Sequence, residues 1–216
     1  MRLLLARHGN TFETGQTPLM VGARSDLELV DRGYEQAENI GSALRCAKIP
    51  VAAIYSSPLK RTFESAKTIA KVLGLGPEIV RLEPGLKEID YGKWEGLSSS
   101  AIGEQFGPAE LEAWDQHSIW PTTPQFSPPE SEVRTMVKGF VESLKQQHSE
   151  DETILVVSSN GKLRYFLDLI PGEFARRKDA GTFKMSTGHL SLLSSTADTW
   201  GIDFWNIPPE KLASSC

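Results

Sequence analysis

The chain has 216 residues, of which 39% are hydrophobic and 24% charged, with a formal net charge of −5. Its length fits one domain with room for an inserted segment, and its composition is that of an ordinary globular protein. The acidic balance argues against nucleic acid as a partner, and no apolar run approaches the ~18–20 residues needed to cross a bilayer.

Residues 2–6 form a short apolar run that reads as a buried strand and breaks at Arg7-His8-Gly9-Asn10-Thr11. Met1-Arg2 is followed by only four apolar residues before Arg7, so no signal peptide is expected. Residues 31–47 carry Tyr34, Ala37, Ile40, Ala43 and Leu44 at helical spacing, with Asp31 placed to cap. Cys46 and Cys216 lie far apart and offer neither a disulfide framework nor zinc spacing, so a cytoplasmic setting is expected. Residues 51–55 read as a second strand ending in Ser56-Ser57-Pro58, and 59–73 as a helix with Phe63, Ala66, Ile69, Ala70 and Leu73 on one face. Residues 78–82 read as a third strand.

The stretch from about 97 to 130 holds Trp114, Trp120, Phe126 and prolines at 108, 121, 124, 128 and 129. It reads as a lid-like insertion rather than another strand–helix unit. Thr153 to Val157 is a buried strand, followed by Ser158-Ser159-Asn160-Gly161 and a helix over 161–169. Residues 189–194 and 201–206 read as two final strands, joined as a hairpin across Ala197-Asp198. The alternation predicts an α/β fold over 1–216: a three-layer sandwich with a mostly parallel central sheet and helices on both faces. The final strand pair would add antiparallel pairing.

Four strands of that order end in residues that can do chemistry. Arg7 and His8 follow the first, Arg61 lies just after the second, Glu88 follows the third, and Ser159-Asn160 follow the fourth. In a parallel sheet these ends share one rim, where open α/β sheets bind ligands. Guanidinium forks match a phosphoryl group, and helix starts add N–H donors. A neutral imidazole can attack phosphorus. Arg7 and Arg61 should keep His8 neutral, and a backbone carbonyl near Gly9 would fix its tautomer. Glu88, if buried, can protonate a leaving alkoxide and then activate water. Asp90 and Glu95 read as surface or capping groups, Trp94 as packing beneath the insertion, and His148 as solvated. Trp114, Trp120 and Phe126 either close over a substrate or form the insertion's own small core.

Taken together, the motifs resemble the histidine phosphatase superfamily, also called phosphoglycerate-mutase-like. Arg7-His8-Gly9-Asn10-Thr11 is similar to its R-H-G-E-T signature, with Asn10 for Glu. Gly22 to Leu29, followed by Gly33 and Gln36-Ala37, resembles G-R-x-D-x-P-L…G-x-x-Q-A. Ser56 to Thr62 with Ala66 resembles S-S-P-L-x-R-A-x-x-T-A, and Leu86 to Gly96 resembles L-x-E-x-x-F-G-x-W-E-G. The resemblance implies His8 as the phosphorylated nucleophile, Arg7 and Arg61 as phosphate clamps, Glu88 as acid and base, and Asn10 and Thr11 at the phosphate pocket. It implies a small phosphorylated substrate and neither a metal nor another cofactor.

One departure stands out. Where the family has a second histidine in V-V-S-H-G-G, this chain has Val156-Val157-Ser158-Ser159-Asn160-Gly161, with Ser159 in the histidine's place. P-G-G-E-S is likewise shortened to Pro128-Pro129-Glu130-Ser131. Ser159 and Asn160 can donate hydrogen bonds but carry no charge. His189 would substitute if it reached the pocket, and His117 is a weaker candidate. Three functions therefore stay open: a phosphomonoesterase, a phosphoglycerate-mutase-type phosphotransferase, and a phosphate-binding protein with weakened catalysis.

Overall fold

The computed structural model describes residues 1–123, 125–196 and 199–213. Six strands form one sheet in the order β3-β2-β4-β1-β5-β6. They are β1 (Arg2–Arg7), β2 (Ala53–Ser56), β3 (Val80–Leu82), β4 (Thr153–Ser158), β5 (Leu190–Thr196) and β6 (Thr199–Ile207). β1, β2, β3 and β4 are mutually parallel, with Arg2 opposite Thr153 and Arg7 opposite Ser158. β5 runs antiparallel to β1, and β6 antiparallel to β5. The expected hairpin tip, Ala197-Asp198, lies outside the described residues, as does Cys216.

The apolar runs are continuous because both faces of the sheet are covered. Leu3, Leu5, Ile154 and Val156 face one core, while Leu4, Ala6, Leu155 and Val157 face the other. The second core is closed by α1 (Asp31–Cys46) and α2 (Lys60–Val72), through Ala37, Ile40, Leu44, Ala66 and Ile69. The first is closed by α5 (Glu130–Gln147), through Val133, Val137, Val141 and Leu144, and by the segment after β4. The result is the three-layer α/β arrangement read from the pattern. Among the described residues no helix is long and apolar enough to cross a membrane.

Several local expectations are corrected. Val30, not Asp31, precedes α1 as its cap residue and makes no side-chain cap bond; Asp31 is the first helical residue, where its charge favours the helix dipole. β3 begins only at Val80, because Pro77–Ile79 form a 3-10 turn. The helix after β4 is brief: α6 (Asn160–Leu163) tightens into a 3-10 segment, Arg164–Leu169. His148 is not solvated. Its side chain is 6% exposed, with Nδ1 2.8 Å from Glu152 and Nε2 3.0 Å from the Tyr55 hydroxyl.

Residues 97–130 contain α3 (Ser99–Phe106) and α4 (Pro108–His117). Trp114, Trp120 and Phe126 meet edge-on at centroid distances of 5.1 to 5.9 Å, with Tyr91 and Trp94 beside Phe126. Such pairs contribute beyond the area they bury. The aromatic residues of the insertion thus form a core of their own, joined to that of the sheet. Trp94, fully buried, packs beneath it as expected.

Candidate active site

β1 leaves the sheet under tight backbone control. The His8 N–H donates to the Ser158 carbonyl at 3.1 Å, and the Gly9 N–H to Ser65 Oγ at 3.2 Å. Gly9 then crosses the first turn of α1. A Cβ on Gly9 would stand 2.1 Å from the Gly33 carbonyl oxygen, and one on Gly33 2.2 Å from that of Asn10. No side chain fits at either position, so the R-H-G segment and Gly33 require each other.

This crossing fixes the imidazole. His8 is buried, and its Nδ1 lies 2.7 Å from the Gly9 carbonyl oxygen. A carbonyl can only accept, so Nδ1 carries the proton and Nε2 keeps its lone pair. Burial first, then the Arg61 and Arg7 charges, pushes the His8 pKa well below its usual value, outweighing the Gly9 carbonyl. His8 is therefore a neutral imidazole at pH 7.

The two expected guanidiniums flank it. Arg7 donates from Nη1 to the Met185 carbonyl at 2.6 Å. Arg61 is fully buried and turns away from the start of α2, donating from Nη1 to Ser25 O at 2.6 Å and from Nη2 to Gly22 O at 3.1 Å. Carbonyl oxygens thus offset a cation that the helix dipole would disfavour. Burial lowers both arginine pKa values, and Glu88 is the strongest opposing charge.

The loop that supplies those carbonyls is held by Glu95, which accepts from the Arg24 N–H at 2.6 Å and from Ser25 Oγ at 2.8 Å. Glu95 is thus not a surface group, since its side chain is only 4% exposed. Asp90 does cap, accepting from the Gly92 N–H at 2.8 Å while pairing with Arg24.

Glu88 is buried, as its proposed chemistry requires. Its Oε1 accepts from the Ile89 N–H at 2.8 Å and its Oε2 from the Gly161 N–H at 2.9 Å. A Cβ on Gly161 would stand 2.4 Å from both Glu88 Oε1 and the Tyr91 hydroxyl, so any other residue where α6 meets the carboxylate would displace these two side-chain ends. Burial first, then Glu88, raises the Tyr91 pKa well above normal and keeps the phenol protonated.

A cavity of about 540 Å³ opens over this floor. Arg7, His8, Asn10, Thr11, Glu88, Ser159 and Asn160 all line it; Arg61 stands behind the wall. Asn10 Oδ1 accepts from the Thr187 hydroxyl at 2.5 Å, and Asn160 Oδ1 from the Met185 N–H at 2.8 Å. Ser159 Oγ, Arg7 Nε and Arg61 Nε are buried with no hydrogen-bond partner among the described residues.

His189 does not join them. Its Nδ1 lies 3.2 Å from the Asn206 carbonyl, and it borders a separate depression beside Arg32. His117 is exposed at the end of α4. Tyr91 and Arg164 are among the cavity residues that the sequence reading did not single out. Tyr91 stands three positions after Glu88, in the place of Phe in the motif L-x-E-x-x-F-G-x-W-E-G. The one signal for Arg164 was a basic residue inside the apolar run that follows the strand-end turn.

Comparison with known proteins gives a consistent picture. Residues 3–208 match the model of the histidine phosphatase superfamily (branch 1). Phosphoserine phosphatase 1 of Hydrogenobacter thermophilus is 32% identical over 167 residues, covering 76% of this chain and 73% of that protein. A 2,3-bisphosphoglycerate-dependent phosphoglycerate mutase of Cytophaga hutchinsonii is 26% identical over 212 residues, covering 97% of this chain and 96% of that one. Among solved structures, a mycobacterial glucosyl-3-phosphoglycerate phosphatase in complex with VO3 superposes with a TM-score of 0.79 at 25% identity, covering 95% of this chain and 98% of that one.

Proposed function

The chain belongs to the histidine phosphatase superfamily, and from that premise we propose that it is a metal-independent phosphomonoesterase that acts on a small phosphorylated metabolite through a phosphohistidine on His8. One observation carries the reading. A neutral imidazole with Nε2 unprotonated lines one cavity with Arg7 and Ser159, whose Nε and Oγ are buried with no hydrogen-bond partner among the described residues, and the Arg61 charge acts on it as well. Buried donors without partners are costly, and a phosphoryl group presents the acceptors they need.

In the proposed first step, His8 Nε2 forms a bond to phosphorus as the ester P–O bond breaks. The leaving alkoxide takes its proton from Glu88. In the second step the Glu88 carboxylate takes a proton from water, the water oxygen bonds to phosphorus, and the P–N bond breaks to restore His8. Arg7, which lines the cavity, holds the equatorial oxygens, where charge must be matched in the transition state, and Arg61 adds its charge from behind the wall. Asn10 shapes the phosphate pocket through its contacts with Thr187 and α1, and Thr11 lines the cavity beside it. Ser159, at the position of the family's second histidine, donates a neutral hydrogen bond with Asn160 beside it. Residues 97–130, which bring Trp114 to the cavity, act as a lid within the single unit 1–216.

The nearly full-length match to a mutase favours one second reading, transfer of the phosphoryl group to another hydroxyl instead of water. Assaying phosphate release against phosphoglycerate isomerisation separates the two. Phosphate release should dominate and fall on the order of 10⁴-fold or more in His8→Ala. Release that survives in a folded His8→Ala protein would overturn the mechanism.

A further inference from the structure

Arg164 is only 2% exposed, and its environment differs from that of Arg134 and Arg177. Arg134 pairs with Glu130 and Asp168, and Arg177 with Glu173. Among the described residues no carboxylate forms an ion pair with Arg164. Asp115, which also borders the cavity, is taken by Lys184 at 2.6 Å. Arg164 instead donates from Nε to the Asn160 carbonyl at 3.3 Å and from Nη1 to Ser118 Oγ at 3.0 Å. The Trp114 and Phe183 rings hold the guanidinium, with centroids 4.4 and 4.8 Å away. Stacked and anchored in this way, the group is fixed in place while bordering the cavity. A guanidinium taken out of water without an anion is expensive.

Arg164 neighbours the phosphoryl clamp through Arg7, on which its charge acts more strongly than that of Arg61. The charges that act on His8 are those of Arg61 and Arg7, whereas Arg164 acts on Arg7 and Tyr91. Tyr91 borders Glu88, the acid for the leaving oxygen. In-line attack by His8 Nε2 puts that oxygen on the far side of phosphorus. Arg164 lines the same cavity as Glu88 and Tyr91 while stacking on Trp114 of α4, and so is open to the alcohol part of the ester.

We propose that Arg164 binds a second anionic group, a carboxylate or a phosphate, on the alcohol part of the substrate. The inference rests on the phosphomonoesterase reading and narrows its substrate class to phosphate esters that carry a further negative charge.

The test compares three probes, ethyl phosphate, phosphoglycolate and 1,3-propanediol bisphosphate, in the wild type, Arg164→Met and Arg164→Lys. The wild type should prefer the doubly anionic probes, and the favoured one tells carboxylate from phosphate. Arg164→Met should lower kcat/KM on that probe about 10- to 100-fold more than on ethyl phosphate, as expected for a charged hydrogen bond. Arg164→Lys should restore part of the preference, and its reading stands alone if the Met variant does not fold. An equal loss on all probes, or no loss, overturns the inference in an active enzyme. If the wild type turns over none of them, the phosphatase reading fails by itself. Calorimetric binding of phosphoglycolate and ethyl phosphate to the same variants then decides the role of Arg164 by the same ratio.

Discussion

The carboxyl ends of β1 and β4 are neighbours in the sheet, yet they are built to different degrees. At the end of β1 the imidazole has its Nδ1 proton on Gly9, its backbone on β4, and a glycine crossing that leaves no slack. At the end of β4, Ser159 Oγ is buried with no partner among the described residues, and Asn160 spends its carbonyl oxygen on Met185. On the proposed reading the β1 end presents a fully oriented nucleophile, whereas the β4 end offers neutral donors and supports Glu88 through Gly161. The chemistry of attack can therefore be intact while stabilisation of the transferring charge is reduced.

The largest effect expected from altering the β4 side is at the carboxylate it supports. Glu88→Gln removes the proton donor and should lower kcat about 10²–10⁴-fold, most of all for esters with poor leaving groups. A uniform loss across leaving groups would mean that Glu88 only supports the fold. Ser159→His adds a charged donor at the weaker end and should raise turnover by up to about 10²-fold. A collapse of activity in a folded variant would show that Ser159 has a role of its own and that the two ends are equally specialised.

The smallest effect concerns the β1 end alone. The folded-state His8 pKa lies below its unfolded value, so at acidic pH the unfolded chain binds the extra proton. The stability held by neutral His8 is fully present above about pH 6.5 and is lost as pH falls, at up to about 1.4 kcal/mol per pH unit. His8→Asn should flatten that part of the profile in denaturant midpoints measured between about pH 7 and pH 5. An unchanged slope would mean that His8 protonates readily in the folded state.

What could be read from the sequence follows the physics of each part. Strands buried on both faces announce themselves as unbroken apolar runs, so β1 and β4 were legible to within a residue. Arg7, His8 and Glu88 were legible because each sits directly after such a run or within a strong motif. The carbonyl shell of Arg61 was hidden, since Gly22 and Ser25 lie far away in the chain and contribute only backbone. Arg164 was hidden by its own surroundings, an apolar stretch in which a cation looks like ordinary helix patterning. The break of the helix after β4 into a 3-10 segment and the burial of His148 depend on tertiary packing that local periodicity does not record.

The claim at the centre of this account is that His8 carries the phosphoryl group. The most direct measurement is to mix the protein with a radiolabelled phosphate ester, quench in alkali and map the label. The account predicts label on His8, stable to base and released by acid, and absent in His8→Ala. Label on another residue such as Ser159, or steady turnover with no labelled protein at any quench time, would contradict it.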